Sequence, residues 1–184
     1  MAYAGMRKGE LLALEWSDIN FDNHTIDINK TVVTDENGKQ SIQSPKWNSF
    51  RTISFNSLIN KYLIDYKVYQ SNSTLLFPNK SGSWRNLGKP NIWLKSIINQ
   101  GTVDFQTIYK MTGNDYYKCF VHQITPHGLR HTHATWLFEK NSRITPKSVQ
   151  KRLGHQNIGA TLDIYTHVTS DQDEILNNTL DFDF

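Results

Sequence analysis

The chain has 184 residues, 38% of them hydrophobic, which suits one domain with a substantial core. No run of ~18 or more uninterrupted apolar residues occurs, excluding a transmembrane helix, and the N-terminal MAYAGMRKGE lacks the apolar stretch of a secretory signal. A single cysteine, Cys119, excludes an internal disulfide framework and points to a reducing, cytoplasmic setting, while the net charge of +3 suits a polyanionic partner without requiring one.

Residues 5–16 place Leu11, Leu12, Leu14 and Trp16 among Arg7, Lys8, Glu10 and Glu15, a pattern that predicts a first helix. Strand-like runs follow at Thr25–Asn29, Lys30–Thr34, Gln40–Ser44 and Arg51–Phe55, with Asn37-Gly38 marking a hairpin turn. Ser57–Tyr69 is amphipathic and predicts a helix, as does Lys89–Asn99, whereas 100–124 gives no clear assignment. Thr125-Pro126 supplies an N-cap followed by proline in the first turn, opening a helix to about Lys140. Pro146 opens the next helix, which Gly154 closes. Ile158–Thr166 reads as a short helix, and Ser170 caps a last one with Asp171, Asp173 and Glu174 in its first turn. The order predicts an α+β fold, mainly helical, with a small antiparallel sheet near the N-terminal third.

Three segments carry chemistry. In HGLRHTHAT, a helix places His127, Arg130 and His131 at i, i+3 and i+4, a cationic face near a helix start that suits a phosphate. In LGHQNIGATLDIYTHV, His155 precedes Tyr165 by ten positions, and GMRKGELLAL near the start sets Arg7 three residues before Glu10. Each alone has an ordinary explanation. Arg7 and Glu10 fit a helix-surface ion pair worth a few tenths of a kcal/mol, and an isolated tyrosine such as Tyr165 is usually core.

Taken in order, these motifs resemble the catalytic domain of the tyrosine recombinase, or phage integrase, family, and the resemblance spans nearly the whole chain. It implies catalytic roles for Arg7, Lys46, His127, Arg130, His155 and Tyr165, with Glu10 in support. Lys46 is implied by SPKWNSFRTISF, which resembles the family's lysine segment; Lys30 and Lys39 compete with it. The resemblance further implies an N-terminally truncated catalytic domain over 1–184 that lacks its DNA-binding domains, with 170–184 as a docking tail. The implied partner is double-stranded DNA, on which the full-length protein assembles as a tetramer. No membrane, small-molecule substrate, metal or cofactor is implied.

The implied reaction makes physical sense of the residue set. A phosphodiester repels nucleophiles, so two arginines are needed to neutralise its oxygens and stabilise the more highly charged transition state. A tyrosine hydroxyl with an ordinary pKa near ~10 needs a base and a positive field to attack at neutral pH. His127 is the expected base, His155 a donor to phosphate, and Lys46 the acid for the leaving 5′ oxygen. The expected activity is site-specific recombination through a 3′-phosphotyrosyl intermediate, integrating or excising a mobile element. A type IB topoisomerase-like enzyme and a catalytically silent DNA-binding module are the alternatives. Cys119 and His122, with His127 and His131, also have a zinc-like spacing, against which one cysteine and no second Cys-x-x-Cys weigh.

Overall fold

In the computed structural model, which describes residues 1–70, 72–112, 124–141 and 143–168, the chain opens with a short helix, α1 (Lys8–Ala13). The helix predicted over 5–16 is therefore cut at both ends. Gly5 lies in the left-handed region (φ +63°) and Leu14 is extended. Backbone bonds explain the early exit: Leu14 accepts from the N–H of Leu76, and Trp16 donates to Thr74, so the chain pairs with residues 74–76 instead of continuing as helix. A 3-10 turn, Trp16–Asp18, then leads into the strands.

β1 (Ile19–Asn20), β2 (Thr25–Ile28) and β5 (Arg51–Ser54) form one antiparallel sheet, in which Ile26 faces Ile53 and Ile28 faces Arg51. β3 (Thr31–Thr34) and β4 (Gln40–Gln43) form a separate hairpin, so the strands divide between two sheets rather than one. The expected turn is present. Gly38 takes φ +79°, and the Asp35 side chain accepts from the N–H groups of Asn37 and Lys39. The hairpin leans on α1, where Val32 is buried with Leu12 and Ala13. Gly9 permits this approach, because a Cβ there would run into the Thr31 hydroxyl and the Val32 carbonyl.

The remaining described elements are helical: α2 (Ser57–Tyr69), α3 (Lys89–Thr112), α4 (Pro126–Lys140), α5 (Pro146–Leu153) and α6 (Gly159–Val168). α3 runs past the predicted end at Asn99 because Gly101 is absorbed, a cost of only ~1 kcal/mol relative to alanine. Thr125 and Thr145 cap α4 and α5, each accepting from the N–H three residues on. The fold is α+β and mainly helical, with its strands confined to the first third, as the residue pattern predicts. No helix among the described residues is long and apolar enough to cross a membrane. The expected helix from Ser170, the tail over 170–184, and Cys119 with His122 lie outside the described residues.

Two of the buried clusters matter for the site. One is built on the three-stranded sheet and the N-terminal segment, around Met6, Ile28, Ile53 and Phe55. The other lies among α4, α5 and α6, around Ala134, Phe138, Val149 and Leu153. The seam between them is polar. It is crossed by arginines from three distant parts of the chain.

Candidate active site

The centre of this seam is the C-terminal end of α5. A helix end leaves carbonyls without partners and carries partial negative charge, so it attracts donors and cations. Gly154 ends the helix at φ +68°, and its N–H and that of His155 both bond the Gln150 carbonyl. The three successive carbonyls of Arg152, Leu153 and Gly154 each receive a different arginine. Arg51 Nε donates to Arg152 O at 2.8 Å, Arg130 Nη2 to Leu153 O at 2.5 Å, and Arg7 Nη2 to Gly154 O at 2.7 Å. Residues 7, 51 and 130 are thereby gathered on one turn of backbone.

Glu10 organises the arginines from the other side. It is 1% exposed and reaches back to the Arg7 backbone N–H, capping α1. Its two oxygens also accept from Arg7 Nη1 at 2.8 Å and from Arg51 Nη1 and Nη2 at 3.1 and 2.7 Å. Burial pushes the Glu10 carboxyl up, but the bonds from Arg51 and Arg7 prevail and hold it below its ordinary value. The Arg7–Glu10 contact is thus part of a buried network, not a surface pair. Arg130, 2% exposed, also donates from Nη1 to Gly5 O at 2.6 Å, while its Nε has no partner among the described residues. Burial, then the Arg7 charge, pushes Arg130 down to about 9, which leaves it protonated at neutral pH.

The histidines sit at the edge of this cationic cluster. His127 and His131 are exposed on α4, their rings edge-to-face at 4.7 Å. Desolvation, then His131, Arg130 and Arg7, hold His127 below its ordinary value. His155 is pushed down to about 4, by burial first and then by Arg130 and Arg7, and its Nδ1 lies 2.8 Å from the buried Thr161 hydroxyl. Both imidazoles are therefore neutral at pH 7. A neutral ring can accept a proton or donate one hydrogen bond, but cannot add charge.

Arg7, Glu10, Arg130, His127 and His155 are thus brought into one electrostatic neighbourhood, although the first and last are 148 positions apart. Tyr165 stands on α6 with its ring against Phe138 at 5.1 Å, half-buried in the α4–α5–α6 cluster. Lys46 is exposed in a 3-10 turn, Lys46–Asn48, with its ammonium over the Trp47 ring at 5.3 Å rather than among the arginines. A relay nevertheless ties its turn to the cluster: Arg7 Nη1 donates to Ser49 Oγ at 3.3 Å, and that hydroxyl donates to Lys46 O at 2.8 Å. Of the competing lysines, Lys30 is held by Asp18 at 2.7 Å and Glu15 at 3.3 Å, and Lys39 lies exposed in the hairpin turn.

Sequence reasoning missed Arg51, although a signal was there. Strand alternation puts Arg51 in phase with the buried Ile53 and Phe55, so its guanidinium had to be inside and had to be paired. His133 and Arg152 were also missed. His133 is buried, its Nδ1 2.8 Å from Ala2 O, and its Nε2 accepts from Arg152 Nε at 2.9 Å. Arg152 Nη2 in turn donates to Ser54 O at 2.8 Å, a second strut across the seam.

Comparison with known proteins gives consistent matches. The model of the phage integrase family matches residues 1–172. A tyrosine recombinase XerC-like protein of Caldanaerobacter subterraneus subsp. tengcongensis is 32% identical over 179 residues, covering 91% of this chain and 44% of that protein. The integrase of Staphylococcus phage L54a is 32% identical over 194 residues, covering 98% of this chain and 49% of its own. The chain spans about half the length of the curated relatives it matches. Among solved structures, a Tn1549 transposon integrase in complex with circular intermediate DNA superposes with a TM-score of 0.74 at 22% identity, covering 97% of this chain and 57% of that one. XerA recombinase superposes with a TM-score of 0.64 at 20% identity, covering all of this chain and 56% of that one.

Proposed function

The chain belongs to the phage integrase family, and from that premise we propose that it is the catalytic domain of a site-specific DNA recombinase that integrates or excises a mobile element. The observation that carries this reading is the convergence of Arg7 and Arg130 on adjacent carbonyls, Gly154 and Leu153, with the buried Arg130 Nε unpartnered among the described residues. Guanidinium groups so placed suit the non-bridging oxygens of one phosphodiester, whose added negative charge in the transition state they stabilise.

In the proposed reaction the Tyr165 hydroxyl attacks the scissile phosphorus and gives its proton to neutral His127. The bond from phosphorus to the 5′ oxygen breaks, leaving a 3′-phosphotyrosine, and Lys46 protonates the departing oxygen. Reversal by a 5′ hydroxyl from another strand rejoins DNA without an outside energy source, because one ester replaces another. The Thr161 hydroxyl lies 2.8 Å from Nδ1 of His155; in the proposed tautomer it donates there, and the Nε2–H of that ring bonds phosphate. Lys46 would have to leave Trp47 to act, a movement that its exposed turn permits. Double-stranded DNA is the proposed partner, a tetramer on DNA the proposed assembly of the full-length protein, and the cytoplasm its proposed place of action.

The test is a nicked duplex that spans an end of the genomic element encoding the chain, so that the cleaved strand diffuses away and the covalent complex is trapped. Wild type should form a protein–DNA adduct that Tyr165→Phe does not form, with folding and DNA affinity retained. An adduct of normal yield in Tyr165→Phe would remove Tyr165 as nucleophile. No adduct with wild type would leave the reading of a DNA-binding module.

A further inference from the structure

Arg51 touches no position proposed for DNA, yet its side chain is 4% exposed and spends its guanidinium on Glu10, Ser49 O and Arg152 O. A strut between β5 and α5 would need only the last of these bonds. The link to Glu10 has an electrostatic consequence. Glu10 orients Arg7, but a carboxylate 2.8 Å from a guanidinium also cancels most of its field at a distance. Arg7, Glu10 and Arg130 by themselves carry a net charge of +1. Arg51 brings the cluster to +2, and because it donates to both Glu10 oxygens, sharing Oε1 with Arg7, it takes up the carboxylate charge.

We propose that Arg51 is a positioning residue that acts through Glu10, balancing the Glu10 charge so that Arg7 is both oriented and electrostatically free to act on phosphate. The proposal rests on the recombinase reading of the same site. Glu10 sets where the Arg7 guanidinium lies, and Arg51 sets how much positive charge Arg7 presents.

Charge balance and mere support predict opposite results in a double variant. Arg51→Met keeps much of the side-chain volume and removes the charge, dropping the cluster to +1. Its rate of adduct formation on the nicked duplex should fall roughly 10- to 100-fold, less than the ~10²–10³ of a direct oxyanion donor, with little change in DNA affinity. Adding Glu10→Gln returns the cluster to +2 and should recover most of that loss, although it removes another buried hydrogen-bonding charge. Arg51→Lys, which keeps the charge and loses the fork, should fall between Arg51→Met and wild type. A double variant as slow as Arg51→Met, or slower, makes Arg51 a structural strut and overturns the proposal. If Arg51→Met does not fold by circular dichroism, the comparison passes to Arg51→Gln with and without Glu10→Gln; failure of these to fold as well shows a requirement of the fold and also overturns it. No adduct with wild type sinks the recombinase reading, whereas an adduct in wild type without recovery in the double variant sinks only the charge-balance role.

Discussion

Replacing Gly154 by alanine tests whether one backbone turn organises the site. Gly154 sits at φ +68°, where a non-glycine residue costs ~1–2 kcal/mol. A Cβ there would lie 2.9 Å from Arg51 Nη1, 2.9 Å from Ser49 Cβ and 3.0 Å from Ser49 Oγ. The Arg51 nitrogen cannot swing aside freely, because Glu10 and Arg152 O hold its guanidinium. Such overpacking adds ~1–3 kcal/mol, giving a total of about 2–5 kcal/mol and a fall in melting temperature of roughly 5–15 °C for a domain this size. Gly154→Asn should be milder by about 1 kcal/mol, since asparagine tolerates the left-handed region but meets the same neighbours. Urea denaturation of both variants measures the two contributions. Adduct formation should fall further than stability does, because Gly154 O is the carbonyl that holds Arg7 and His155 is the next residue. If both variants unfold within ~0.5 kcal/mol of wild type and cleave DNA normally, the helix end does not set the arginines.

Arg130→Lys should slow cleavage by ~10²–10³ while weakening DNA binding far less, because one ammonium cannot span both Gly5 O and Leu153 O and still reach a phosphate; near-wild-type single-turnover rates would refute this. Lys46→Ala should cleave ordinary DNA poorly, losing the ~10²–10⁴ that a general acid supplies, yet cleave a 5′-bridging phosphorothiolate at nearly the wild-type rate, since a thiolate leaving group with a pKa near ~8.5 hardly needs the proton. Failure of sulfur to rescue it would make the lysine a binding residue, and the same assay on Lys30 and Lys39 variants tests the competitors. His133 is held neutral, its pKa lowered to about 4 by burial and then by Arg152, so its contribution to stability is complete above the ordinary value near ~6.5. That contribution should fall as pH drops below it and vanish near the folded value, with a slope of at most ~1.4 kcal/mol per pH unit. His155 adds a loss of the same sign. His133→Gln, which keeps an acceptor for Arg152, should flatten the urea-midpoint profile between these limits, and an unchanged profile would show that His133 is not buried as a neutral ring.

Local chemistry was legible in the residues wherever a neighbour in sequence decides the outcome. Thr125-Pro126 and Thr145-Pro146 open helices because a side-chain cap and a proline act within one turn, and Asn37-Gly38 makes its turn for the same reason. The helix–strand–helix order follows from periodicity, and the order of GMRKGE, HGLRHTH and LGHQNIGATLDIYTHV was enough to suggest which side chains belong together. The end of α1 was not legible, because the residues that stop it, Thr74 and Leu76, are more than fifty positions away. Nor was the division of the strands into two sheets. Arg51 was given no role from the sequence, although its phase with Ile53 marked its side chain as buried, and its bond to α5 came only with the fold. The position of Lys46 over Trp47 is likewise a matter of tertiary geometry. The sequence by itself determined which groups are present and which short elements carry them, since those depend on contacts within a turn or two. Only the tertiary structure decided that three arginines take three successive carbonyls and that two of them, Arg7 and Arg51, share one buried carboxylate. Pairing of buried charges is settled by distances in space, and in this chain those distances join residues more than a hundred positions apart.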